Sequence, residues 1–431
     1  MFLQLPYLNK SFPLEFSEEN LLAVAEPNEY HAEGGAEALL VAALNKPYGA
    51  SGKQNGVVLQ DFLQGGTKLL VIINDATRPT PTEAMLTALM PEIEKAGLGG
   101  AVTFMVATGA HRQPTDDEYR QILGLHYDKL RPRCLHHDAR NDSDMADIGF
   151  TRNGTPMLLN KRLFEADRII ATGSVEPHYF AGFTGGRKAF FPGIAAHKTI
   201  EANHKLALSP KARSLALEGN PVHEDMMDAM PLIKAPIFSL MAVLDKEQGL
   251  AAVTAGELMS SFYRAVDIAK QIFCVAVPAK ADIVVSVAKF PMDIDLYQSQ
   301  KAIDNGAVAL KDGGFLILVS SCRDGIGDKN YANLLAQASS PADAIEKIRA
   351  GYKLGYHKAA KMAEVSGRAT VVAVSEVDEQ QLKSMFIQKA ATPQRALDEA
   401  MASLKAKGIA VPKILVLPDG CVTVPDPAGE R

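Results

Sequence analysis

The chain has 431 residues, of which 47% are apolar and 22% charged, with a net charge of −5. That length exceeds one small core and predicts two domains of an ordinary globular protein. The acidic balance argues against a general nucleic-acid binder or a protein of anionic membrane surfaces. The first twenty residues show no basic, apolar signal pattern. No run approaches the ~18 apolar residues of a membrane helix, so a cytoplasmic location without membrane contact is expected. The four cysteines, Cys134, Cys274, Cys322 and Cys421, are scattered and form no CxxC. They read as reduced thiols rather than a disulfide framework or zinc knuckle.

In chain order, LLVIINDATRP (69–79) reads as a buried strand ending in a polar loop. PTEAMLTALMPEIEKAG (81–97) has apolar residues at helical spacing and a stop at Gly97. AVTFMVATGAHR (101–112) and ADRIIATGSVEPHYF (166–180) are further β-rich runs, each followed by a glycine-containing turn. Strands without inside–outside alternation, separated by helices, predict an α/β fold of mostly parallel sheets covered on both faces. A second series follows a helical run at 258–277, with strands expected at the starts of 281–302 and 313–327 and across 369–377. The predicted domains are 1–275 and 276–431. The last strand, in KILVLPDGCVTVP (413–425), is expected to return to the first of them.

VATGAH (106–111) and IATGSVEPH (170–178) both leave a strand through Ala-Thr-Gly and soon reach a histidine. Ligands of open α/β sheets sit beyond the carboxyl ends of the strands, so His111, His178, Asp75 and Arg78 are expected around one crevice. The two histidines are acid–base candidates. Glu176 either orients His178 or caps the next turn. Asp75 and Arg78 either anchor an anion or pair with each other in an Asx-turn.

GFTGGRKAFFPG (182–193) poses a sharper question, because Lys188 stands between glycines and phenylalanines. It is not a Walker P-loop, since Arg187 precedes the lysine and Ala189 follows. Residue chemistry leaves two readings open: Lys188 as a partly dried amine serving as nucleophile or covalent anchor, or Arg187 and Lys188 as phosphate binders. His197 and His204, seven residues apart, share roughly one helical face. Without HExxH or ligands at three-to-four spacing, a zinc site within that helix is not expected. Gln298 and Lys301, three apart, share one face and can reach a carboxylate.

DATRPTP, ATGAHR, VEPHYFAGFTGGRKAFFPGIA, EANH, GNPVHEDM, YQSQKA and LGYHKAA occur in this order. Together they resemble the nickel-pincer lactate racemase family of 2-hydroxyacid racemases and epimerases. The motifs run from residue 75 to 360, and the block 176–195 is the most specific. The resemblance implies two domains with the active site in the cleft between them, the N-terminal one holding the cofactor. It implies a covalently attached nickel-pincer nucleotide, pyridinium-3,5-bisthiocarboxylic acid mononucleotide nickel. Lys188 would hold it as a thioamide, His204 would supply the fourth nickel ligand, and Gly185 and Gly186 would give the nucleotide access, with Asp75 supporting. His111 and His178 would exchange acid and base roles while the C2 hydride passes to the cofactor and back. Arg78, Tyr297, Gln298 and Lys301 would fix the substrate carboxylate. The implied partners are a small 2-hydroxyacid and separate cofactor-assembly enzymes, without which Lys188 would be unmodified. Lactate-specific members of the family carry a tryptophan against the substrate. This chain has none, so Tyr352 or Tyr356 is expected in its place. Rival readings are a non-catalytic nucleotide carrier, a lysine Schiff-base enzyme and a metal-dependent hydrolase.

Overall fold

The computed structural model describes residues 1–428, which divide into two compact units. One unit is Glu29–Ile272; the other joins Met1–Asn28 to the chain from Phe273 onward. Among the described residues no helix is long and apolar enough to cross a membrane.

The Glu29–Ile272 unit is built on a six-stranded sheet. Its spatial order is Leu250–Glu257, Ile237–Leu244, Arg168–Ser174, Leu69–Asn74, Val102–Ala107 and Cys134–His136. Every neighbouring pair is parallel except the edge pair Ile237–Leu244 with Leu250–Glu257. The central strand is buried on both faces, as its unbroken LLVII run requires. Val71 and Ile73 face a core shared with Met85, Leu86, Leu89 and Ile93 of the helix Thr82–Lys95. That helix ends in a Schellman turn: Gly97, at φ 75°, donates to the Glu94 carbonyl, and Leu98 donates to that of Ile93.

Chain order explains where a site can form. From Leu69–Asn74 the chain adds Val102–Ala107 and Cys134–His136 on one side, then crosses to Arg168–Ser174 on the other. The order reverses between Leu69–Asn74 and Arg168–Ser174, and the carboxyl ends of those strands frame the crevice such sheets use for ligands.

The second unit carries a wholly parallel six-stranded sheet. The order is Ile387–Lys389, Thr370–Val374, Leu310–Val319, Ala281–Val287, Ile414–Leu417 and Leu21–Val24. Two expectations about domain membership change here. Residues 1–28 do not join the first domain: Leu21–Val24 forms the edge strand beside Ile414–Leu417, and Leu5, Tyr7 and Leu14 of the N-terminal hairpin bury in this unit's core. Each such side chain contributes ~1.5–3 kcal/mol of apolar burial. The strand Ile414–Leu417 does not return to the first domain either. It lies inside the second sheet, paired with Ala281–Val287.

Candidate active site

The loop after the strand Leu69–Asn74 is tied across the topological switch. Thr80 donates its hydroxyl to the Asn74 side chain at 2.8 Å and lies 3.0 Å from the Ser174 hydroxyl on the neighbouring strand end. Asp75 follows that strand directly and is 7% exposed. One carboxylate oxygen accepts from Thr77 at 2.7 Å, and the other lies 2.7 Å from His111 Nδ1. Burial pushes the Asp75 carboxyl upward. The His111 bond and charge, Thr77 and the Arg78 charge outweigh it and hold the group below the usual carboxylate range. An ionised Asp75 can only accept, so His111 carries its proton on Nδ1 and offers Nε2 as the basic nitrogen. His111 itself is half exposed. Asp75 is therefore a histidine-orienting carboxylate; the local Asx-turn explains only its Thr77 contact.

His178 lies in the short hairpin Pro177–His178 with Gly182–Phe183, directly opposite Gly182. Its Nδ1 accepts the Ala181 N–H at 3.3 Å, and its ring stacks on Tyr179 with centroids 5.0 Å apart. Glu176 spends its main chain on Thr184, and its charge acts on Lys188.

Phe180 is the common neighbour of three residues singled out from sequence. Its ring meets His178 edge-on at 4.6 Å and His204 at 5.0 Å, and the Lys188 ammonium lies 5.6 Å from its centroid. The Lys188 amine is held well below the usual lysine range by burial first, then by the charges of Arg78 and Arg187, with Glu176 opposing. A lysine so placed loses its proton more readily than an exposed one, which favours it as a nucleophile.

Arg187 resolves the phosphate alternative. Its side chain is 0% exposed. The guanidinium donates to the carbonyls of Phe183 at 2.9 Å, Gly185 at 3.3 Å and Ala181 at 2.7 Å, and lies 4.6 Å from the Phe262 ring centroid. It staples the loop from inside and is not available to a phosphate.

The glycines also have a different reason from the one expected. Gly185 and Gly186 have φ of 76° and 54°. A Cβ on Gly185 would fall 2.6 Å from Val175 Cγ2, and one on Gly186 2.7 Å from Phe262 Cγ. The space left by the missing side chains is filled by protein, so backbone conformation and close packing demand glycine there.

His204 projects from the helix His197–Lys205 and is buried, whereas His197 is only half-buried. The preceding Asn203 donates to buried Asp225 at 2.9 Å and to the Val222 carbonyl at 3.2 Å. Asp225 also accepts from Thr151 and Thr155, which binds this helix to the hairpin Met145–Phe150 with Pro156–Asn160.

In the second unit the helix Leu296–Val308 starts at Asp295, whose carboxylate accepts the Gln298 N–H at 2.7 Å. Tyr297, Gln298 and Lys301 are half-buried in its first two turns. Lys358 donates to the Tyr297 carbonyl, and its ammonium lies 4.0 Å from that tyrosine's ring centroid. Tyr352 and Tyr356 lie 6.4 Å apart, edge to face, and the Tyr352 hydroxyl is 2.8 Å from His357 Nδ1. Cys322 is buried and its thiol is pushed up by burial, so it is not a reactive thiolate.

Family models for the lactate racemase N-terminal and C-terminal domains match residues 7–215 and 276–424. Lactate racemase of Thermoanaerobacterium thermosaccharolyticum is 30% identical over 428 residues, 97% of each chain. The chain belongs to the lactate racemase family. It is thereby an isomerase of the racemase class. Lactate racemase of Lactiplantibacillus plantarum is likewise 30% identical, over 97% of this chain and 98% of its own. The solved structure of the T. thermosaccharolyticum lactate racemase apoprotein superposes with a TM-score of 0.89 at 29% identity, covering 99% of this chain and all of that one. A Thermotoga maritima protein with a TM-score of 0.69 and 17% identity, covering 93% of this chain, shares the fold.

Among the described residues of this lactate racemase relative, no three His, Cys, Asp or Glu side chains cluster as a metal cage. Sequence reasoning missed Phe180 as the hub, Arg187 as the staple and Asp75 as the partner of His111. Phe180 was within reach, standing two residues after the candidate His178. The other two join groups through tertiary contacts that no local pattern encodes.

Proposed function

We propose that this protein inverts C2 of a 2-hydroxycarboxylic acid, with His111 and His178 as the two acid–base groups and a 2-keto acid as the intermediate. The convergence of Lys188, His178 and His204 on the Phe180 ring carries this reading. A covalently tethered nickel-pincer nucleotide fits these residues: Lys188 is an amine whose pKa burial lowers, which favours acylation, and His204 is a buried imidazole beside the same ring. Nickel would need its remaining donors from the group itself, which suits a chain with no three-residue cage among its described residues. When bound, such a group accepts a hydride and returns it. Loading would fall to separate assembly enzymes.

Starting with one enantiomer, the first imidazole takes the hydroxyl proton as the C2 hydrogen departs with its electron pair, leaving a C2 carbonyl. The second imidazole, as imidazolium, would give its proton to the oxygen as the opposite face of C2 regains its hydrogen. Asp75 keeps His111 in the tautomer that offers Nε2 as base. The Ala181 N–H meets His178 Nδ1 at 3.3 Å, a long bond that the ring gives up when both nitrogens are protonated and Nε2 donates as imidazolium. Arg78 is the carboxylate-binding cation of its unit. In the other unit, Gln298 and Lys301 form a carboxylate-binding helix edge.

The test is racemisation of chirally pure 2-hydroxyacids, lactate first, by cofactor-loaded protein, followed by chiral chromatography. The proposal expects His111→Ala and His178→Ala each to abolish turnover while nickel stays bound. Substrate deuterated at C2 should retain its label in the product. Wash-out of the deuterium into water would replace hydride return with proton abstraction, and normal turnover by both variants would overturn the two-base reading.

A further inference from the structure

Lys358 lies in the helix Tyr356–Arg368, is 3% exposed, and has no part in the chemistry above. Its ammonium donates to the carbonyl of Tyr297 and sits over the same residue's ring at 4.0 Å. Tyr297 is four residues before Lys301, so the gripped carbonyl is also the one that receives the Lys301 backbone N–H in an α-helix. Lys358 therefore clamps the turn that presents Gln298 and Lys301. We propose that Lys358 is a positioning residue for carboxylate recognition, holding this turn in place and setting a second positive charge behind Lys301. This inference rests on the reading of Gln298 and Lys301 as carboxylate ligands.

The charges around Lys358 support it. The helix Leu296–Val308 contributes Lys301 and Asp304, its cap contributes Asp295, and the segment after the strand Ile414–Leu417 contributes Cys421. The helix Lys329–Ala336 adds Tyr331, and Lys361 and Glu364 of Lys358's own helix act on Asp304. Burial first, then the Lys301 charge, brings the Lys358 amine down to about 7, with Asp304, Asp295 and Cys421 opposing. Two like charges so close disfavour each other, and an arriving carboxylate relieves that repulsion. Because the depressed group is cationic only below its folded pKa, carboxylate affinity should be highest in mild acid and fall as pH rises past neutrality. Binding just above neutrality should draw a proton onto the protein.

The experiment is calorimetric titration of the full chain with pyruvate, a carboxylate that needs no turnover. It is run at about pH 6.5 and 8.5, and in buffers of different ionisation enthalpy at about pH 7.5. The unsubstituted protein should bind more weakly at the higher pH and take up a fraction of a proton. Lys358→Met should bind about ten-fold more weakly at the lower pH and lose both the pH dependence and the proton uptake. Lys358→Arg should keep the affinity and lose the pH dependence, since its charge is permanent. Pyruvate binding to the unsubstituted protein with no proton uptake and no pH dependence overturns the inference, without relying on any variant's folding. Lys301→Met binding as tightly as the parent, or no binding to the parent at all, refutes the carboxylate reading beneath it. Loss of binding in Lys301→Met with a parent that takes up no proton sinks this inference alone.

Discussion

Replacing Asp75 by Asn tests the most specific piece of site geometry. The carboxylate lies 2.7 Å from His111 Nδ1 and is 7% exposed, so solvent cannot readily replace it. A charge-assisted hydrogen bond of this kind contributes ~1.5–3 kcal/mol. Its loss alone lowers turnover about ten- to two-hundred-fold if it is fully expressed in the transition state. Asparagine is also nearly isosteric and can present its amide N–H to Nδ1, which moves the histidine proton to Nε2 and removes the base. A locked wrong tautomer can cost up to ~10⁴-fold. The Asp75 carboxyl, held below the usual carboxylate range, stays ionised in ordinary assay buffers, whereas an amide does not titrate, so raising the pH should not rescue the variant. The assay is racemisation of one enantiomer by loaded enzyme, paired with ¹⁵N spectra of the His111 ring to read the tautomer. Turnover within three-fold of the parent, with Nδ1 still protonated, would refute the orienting role.

Other expectations follow from the same loop. Arg187→Met should destabilise the protein by about 3 kcal/mol or more in urea unfolding, because it strips donors from three carbonyls in a site with no exposure. A phosphate-binding arginine would instead be nearly neutral in that experiment. Gly186→Ala should cost ~2–4 kcal/mol, combining a left-handed backbone penalty with a Cβ 2.7 Å from Phe262, and should lower Tm. In unmodified protein, Lys188 should acylate faster near neutral pH than the exposed lysines, as read by peptide mass mapping. Burial lowers its pKa, so a larger fraction of it is uncharged than of the exposed amines. Slower labelling than at exposed Lys198 would contradict that.

The elements legible in the sequence were those with strong local pattern. LLVIIN had to be a fully buried strand, and the helix after it stops where Gly97 permits the left-handed turn. The strand-end positions of Asp75, His111 and His178 followed from the same reasoning, because a parallel sheet puts its loops at one edge. Residues 21–24 were not legible: a four-residue edge strand has little periodicity, and its partner is almost four hundred residues away. The Asp75–His111 bond likewise spans 36 residues, and nothing local signals it. The glycines of 182–193 invited a reading of open access. Only the packed positions of Val175 and Phe262 reveal that they permit close contact within the protein.

The central claim is that Lys188 tethers a nickel-bearing nucleotide on which racemisation depends. The most direct test is the intact mass of protein made alongside the cofactor-assembly enzymes, with peptide mapping and nickel analysis on the same sample. The account predicts an adduct of nucleotide size at Lys188 and about one nickel per chain. An unmodified Lys188 without nickel, in a preparation where a control racemase is loaded, would contradict it.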